Sequence, residues 1–170
     1  MYSSQNPATK EKIRNTCINK YGTYSVSYRY IYNGIPFDSG WELCFYEYMI
    51  DHNRNVKYPS GVSIEYKDAK GNTKTYYPDF LVDDELIELK GKQFFKENGT
   101  VYCPFRLLDM PDDEYEDLCK TYELKHQCMI EHNVKIVTDK EIRPVLEYIQ
   151  KKHGVGSYIE YCIKFSRVNS

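Results

Sequence analysis

The sequence predicts an α/β or α+β fold built on a mixed sheet, and three observations carry that prediction. Segments of helical and of strand periodicity follow one another in the order helix, hairpin, helix, three strands, helix, strand, helix. Two short turns, Asn33-Gly34 and Asp83-Asp84, lie between strand-like segments and read as hairpin connections. The length of 170 residues fits one domain with at most a short appendage, long enough to bury a core unaided.

Taken in order, ATKEKIRNTCINKYG offers Thr9 as an N-cap and Gly22 as a stop, so a helix is predicted over 10–20. YRYIYNGIPFD alternates around Asn33-Gly34 and predicts a hairpin. In SGWELCFYEYMIDHN, Trp41, Cys44, Phe45, Tyr48 and Met49 fall on one helical stripe. SIEYKD and TKTYYPDFLV read as strands joined by the turn AKGN, and ELIELK follows as a third strand after Asp83-Asp84. Residues 91–111 read as irregular. DDEYEDLCKTYELKHQCMIEHN predicts a long helix whose acidic first turn suits the helix dipole. VKIVT is a short strand, and DKEIRPVLEYIQKKHG a helix opened by Asp139 and closed by Gly154, with Pro144 in its early turns. The tail SYIEYCIKFSRV is expected to be a final strand.

Composition narrows the function classes. The chain is 41% hydrophobic and 28% charged, as globular proteins are. No apolar run approaches the ~18 residues of a membrane span, and MYSSQNPATKEK lacks the apolar stretch of a signal peptide. No membrane partner is therefore expected, and the six scattered cysteines, with no C-x-x-C pair, predict a reduced cytoplasmic chain without disulfides. The net charge of -2 conceals a pattern. Residues 1–35 sum to +4, 36–150 to -9 and 151–170 to +3. Basic ends around an acidic centre suit a polyanion ligand and a site that gathers cations, although Lys-rich termini are also commonly just solvated.

Chemistry concentrates on TYYPDFLV-DD-ELIELK. If Asp83-Asp84 is a two-residue loop, Val82 faces Glu85, Asp79 faces Glu88 and Tyr77 faces Lys90. Leu86, Glu88 and Lys90 then share one face, and Ile87 and Leu89 the other. Opposed carboxylates repel, and a hard divalent cation between them is one compensation. Two acids, a lysine and a cation suffice for phosphodiester hydrolysis: the cation polarises a phosphoryl oxygen, and the ammonium orients water and offsets charge. The alternative is a surface hairpin whose charges are solvated.

Pro78 and Asp79, followed eight residues later by Glu88, Leu89 and Lys90, stand between helix–strand and helix–strand segments. This arrangement resembles the PD-(D/E)XK nuclease superfamily, with its restriction-endonuclease-like αβββαβ core. FDSGWE, YYPDF, LIELKG and NVKIVTDKEI together look like small DNA endonucleases encoded by bacteriophages. The resemblance implies a nuclease core over 36–153, flanked by a basic arm (1–35) and a basic tail (154–170). It implies Mg²⁺, replaceable by Mn²⁺, held by Asp79, Glu88 and the Leu89 carbonyl, with Lys90 as the catalytic lysine. It also implies that Glu42 faces the metal, directly or through water. Against this, Ser39 and Glu42 form a capping box that would turn the carboxylate back to its own helix start, unless Asp38 is the N-cap.

The remaining candidates are contacts to DNA. Lys12, Arg14 and Lys20 would meet phosphates, with Tyr21, Tyr24, Tyr28 and Tyr30 stacking or packing on sugars; the same helix could instead pack on the core. Lys92 is a phosphate contact or a solvated lysine, and Gln93 a polar accessory. Cys119, His126, Cys128 and His132 raise a zinc alternative, opposed by their placement along one helix. The resulting expectation is a Mg²⁺-dependent deoxyribonuclease leaving 5′-phosphate and 3′-hydroxyl ends, with a homodimer as one route to a double-strand cut. A branched-DNA resolvase, or a non-catalytic DNA-binding or anti-defence protein on the same fold, are the other readings.

Overall fold

The computed structural model describes residues 29–167. The helix expected over 10–20, with Lys12, Arg14, Lys20, Tyr21, Tyr24 and Tyr28, lies outside the described residues. The protein is α/β with a mixed sheet, and the described chain divides into two compact units, 29–53 with 142–167, and Arg54–Glu141.

The first unit opens with the expected hairpin, β1 (Tyr30–Tyr32) and β2 (Ile35–Phe37), paired Tyr30 to Phe37. Asn33 (φ 50) and Gly34 (φ 77) make the turn; both positive φ values match the strand twist, which is why Asn-Gly suits this place. Helix α1 (Gly40–Asp51) starts at Ser39, whose hydroxyl accepts the Glu42 N–H. Its buried face is Leu43, Cys44, Phe45 and Glu47. The expected stripe is thus rotated: Cys44 and Phe45 are buried, whereas Trp41, Tyr48 and Met49 are only half-buried.

Helix α3 (Asp139–His153) tolerates Pro144 and buries Ile142, Val145 and Ile149. The tail corrects the expectation of a strand: Tyr158–Ile163 is a helix, α4. Its cause is local. Ser157 accepts the Glu160 N–H, and Tyr161 and Cys162 are buried one turn beyond Tyr158. Beyond the helix the chain turns at Lys164 and Phe165 and meets the hairpin, where Ile31 N–H donates to Phe165 C=O and Tyr30 forms an isolated bridge with Ser166. Gly40 allows α4 to approach α1; a Cβ there would lie 3.2 Å from the Cys162 sulfur. Glu47, 2% exposed, accepts from Tyr161, Lys152 and His153, so its buried charge is paired and hydrogen-bonded.

The second unit contains the sheet. Its order is β3 (Val56–Lys57), β6 (Phe80–Val82), β7 (Glu85–Leu89), β8 (Lys135–Val137), with β6 antiparallel and β8 parallel to β7. Strands β4 (Ile64–Lys67) and β5 (Thr73–Tyr76) form a separate hairpin. The expected single strand TKTYYPDFLV is therefore two, broken at Tyr77-Pro78-Asp79. Pro78 has no N–H to donate, so an uninterrupted ladder through it is disfavoured. Helix α2 (Asp112–Glu131) connects β7 to β8 after a 3₁₀ turn at Lys92–Phe94. It buries Cys128 and Met129 against Ile64, Tyr76 and Val134, with Leu86 and Ile136 packed on the same cluster. That packing covers the β7 face bearing Leu86.

Candidate active site

The β6–β7 register agrees with the spacing argument: Val82 pairs with Glu85, Leu81 with Leu86 and Phe80 with Ile87. Asp83 (φ 47) and Asp84 (φ 68) form the two-residue turn. The ladder stops there, so the expected pairs Asp79–Glu88 and Tyr77–Lys90 fall beyond it. Asp79 instead turns its carboxylate into the gap, where Oδ2 accepts the Leu89 N–H at 2.8 Å. Its own carbonyl accepts from Ser60 N–H at 3.1 Å, and its backbone N–H donates to the Glu88 carboxylate. Asp79 is thus tied to β7, and Glu88 to the backbone of Asp79.

Glu88 lies on an interior strand, bonded by β6 on one side and β8 on the other, where Glu88 pairs with Ile136. Its Oε2 accepts the Tyr76 hydroxyl at 2.7 Å. Burial pushes the Glu88 carboxyl above the usual carboxylate range, opposed by the charge of Lys125, the Tyr76 hydrogen bond, Lys90 and the Asp79 amide. The same contact, with burial as the larger cause, raises the Tyr76 phenol. Lys90 is 7% exposed, its N–H bonded to Val137 C=O at 2.9 Å and its Nζ 5.6 Å from the Phe94 ring centroid and 5.9 Å from that of Phe95. Burial, and then Lys125, lower it to about 8, against the pull of Glu88. The alternative of a solvated hairpin does not describe this face: Lys90 is enclosed and Glu88 half-buried.

Four residues of this site escaped the sequence argument. Tyr76 is the residue before the strand break, on the same alternation as the buried Pro78 and Phe80. Lys125 comes from α2, its Nζ 4.7 Å from the Tyr76 ring centroid. Lys125 precedes His126 in the sequence, and no local spacing marks it. Phe94 and Phe95 come from the segment read as irregular. His126 faces the Phe95 ring at 5.8 Å and has a buried Nδ1 without a hydrogen-bond partner. Burial and the charge of Lys90 depress its titration, which keeps it neutral.

The other candidates are placed as follows. Glu42 closes the capping box: its Oε2 accepts from Asp38 N–H at 2.9 Å and Ser39 N–H at 3.1 Å. Lys92 is exposed, and its backbone N–H donates to Asp139. Gln93 is exposed beside Gly91. Of the zinc alternative, Cys128 and His132 approach each other, Sγ to Nδ1 3.8 Å, but His132 Nδ1 is also 2.9 Å from the Cys128 carbonyl. Among the described residues no three His, Cys, Asp or Glu side chains are grouped to hold a metal. Asp79 and Glu88 supply two carboxylates, and the adjacent Leu89 carbonyl would add a third hard oxygen. This donor set suits Mg²⁺, which accepts one or two carboxylates and retains several waters; it does not suit zinc.

Among the described residues, no helix is long and apolar enough to cross a membrane. No family model, curated protein or solved structure matches the chain.

Proposed function

We propose that the protein is a Mg²⁺-dependent nuclease that hydrolyses DNA phosphodiester bonds at Asp79, Glu88 and Lys90. One observation carries this reading: the Asp79 carboxylate is anchored to β7 and the Glu88 carboxylate to the Asp79 backbone, while Lys90 is held close by, largely out of water. Such an arrangement costs the metal-free protein stability, a cost that a bound cation would offset, and sites of this kind are commonly functional. Asp79, Glu88 and the Leu89 carbonyl would hold the ion. Bound there, Mg²⁺ would polarise a phosphoryl oxygen and make an attached water more acidic. Lys90, lowered to about 8, can orient that water, accept its proton or offset charge on the phosphate. Water oxygen joins phosphorus, the bond from phosphorus to the 3′ oxygen breaks, and that oxygen leaves as a hydroxyl, leaving a 5′-phosphate.

Lys12, Arg14, Lys20 and Lys92 are the proposed phosphate contacts, and a restriction-endonuclease-like core the proposed fold family. The test is incubation of supercoiled, linear, four-way-junction and single-stranded DNA with the full chain and Mg²⁺ or Mn²⁺. Cleavage is expected, abolished by EDTA and reduced at least ~10³-fold by Asp79→Ala or Lys90→Ala. Faster cleavage of the junction than of the linear duplex would make the activity that of a resolvase. If every substrate survives with either ion, the enzyme reading is wrong and a non-catalytic binding protein takes its place.

A further inference from the structure

Lys125 has no place in the two-carboxylate-plus-lysine scheme, yet it stands in the same site. It projects from α2 rather than from the carboxylate hairpin, and its Nζ lies 4.7 Å from the ring centroid of Tyr76. The hydroxyl of that ring donates to Glu88 at 2.7 Å. The charge of Lys125 acts on Glu88 and on Lys90 alike, attracting the first and repelling the second. Among the described residues it closes no salt bridge with a carboxylate. It is therefore a cation seated on the aromatic ring whose hydroxyl binds Glu88, without a closed ion pair.

We propose that Lys125 is a positioning residue that holds the charge of Glu88 in balance and competes with the incoming divalent cation, setting the ion concentration at which the site loads. The inference rests on reading Asp79 and Glu88 as a divalent-cation site. Its physical basis is simple. A carboxylate near an ammonium attracts a second cation less, and an ammonium left near a bound divalent ion repels it. Both effects have the same sign, whether Lys125 stays or moves on loading. The aromatic seat of Lys125 and the hydroxyl that fixes Glu88 belong to one side chain, Tyr76. The balancing charge and the carboxylate are therefore held by the same buried group.

The test is calorimetric titration of the DNA-free full chain with MnCl2, comparing wild type with Lys125→Met, Lys125→Arg and Asp79→Ala. Lys125→Met should bind Mn²⁺ roughly tenfold more tightly, and Lys125→Arg within about twofold of wild type. The Mg²⁺ concentration for half-maximal DNA cleavage should fall in Lys125→Met alone. Lost packing weakens a site, so tightening is a result that a merely structural role does not produce. Unchanged or weaker Mn²⁺ binding by Lys125→Met overturns this inference and leaves the proposed nuclease untouched. A wild type that binds Mn²⁺ but cleaves no DNA overturns the nuclease and leaves the role of Lys125 standing. If wild type binds no Mn²⁺, or Asp79→Ala binds it equally well, there is no metal centre at these residues and both fail.

Discussion

Lys90 is a cationic side chain enclosed to 7% exposure, and burial brings its titration down to about 8. The sign of the consequence follows from proton counting. Between about 8 and the ordinary lysine value of 10.5, the unfolded chain carries the proton and the folded site does not, so folded stability rises with pH across that window. Below about 8 both states are protonated and the destabilisation is fully present. Chemical denaturation of the metal-free protein at pH 7 and pH 10 should therefore show Lys90→Met gaining stability over wild type at the lower pH. The gain should be ~1–3 kcal/mol, shrinking as pH rises. A difference that does not vary with pH would mean that Lys90 titrates normally. The β6–β7 register was legible in the sequence, because alternation and a two-residue loop set Val82 opposite Glu85, whereas singling out Asp79, Glu88 and Lys90 rested on the motif's resemblance to a nuclease family. Tyr76 and Lys125 were not legible: their roles depend on α2 covering the sheet, a long-range contact that no local spacing encodes.

At the scale of elements, the β6–β7 hairpin is the unit that makes the site. Its register depends on Asp83 and Asp84, both at positive φ. Asp83 also accepts from Arg54 and from the Asn55 N–H, tying the turn to the segment before β3. Asp84 is exposed, and glycine is the residue that its conformation favours. Asp84→Gly should accordingly stabilise the protein by ~0.5–1 kcal/mol in denaturant titration. A loss of stability would show that the Asp84 side chain contributes something the turn geometry does not express. Sequence reasoning succeeded here because a tight turn fixes register mechanically. It failed one residue beyond the ladder, where Pro78 ends pairing and the Asp79 side chain replaces a backbone acceptor. It failed again at α4, where the pattern SYIEYCIKF satisfies both periods. The Ser157–Glu160 cap decided in favour of the helix.

For the whole molecule, near-neutrality is the sum of opposed regions: +4 over residues 1–35, -9 over 36–150 and +3 over 151–170. The acidic middle contains the proposed ligands and Lys92, and the basic N-terminal stretch the other three proposed phosphate contacts, Lys12, Arg14 and Lys20. Some of that acidity is structural: Glu47 sits buried against Lys152, His153 and Tyr161, and Glu42 caps its own helix. The coarse α/β class was legible because helical and strand periods alternate along the chain. The division into two units was not, since 142–167 joins 29–53 across the intervening sheet unit in the sequence. The most direct test of the central claim is anomalous scattering from crystals of the full chain soaked in MnCl2. The account predicts a manganese peak within ~2.0–2.3 Å of carboxylate oxygens of both Asp79 and Glu88. No peak at these two residues, or manganese bound only elsewhere, would contradict it.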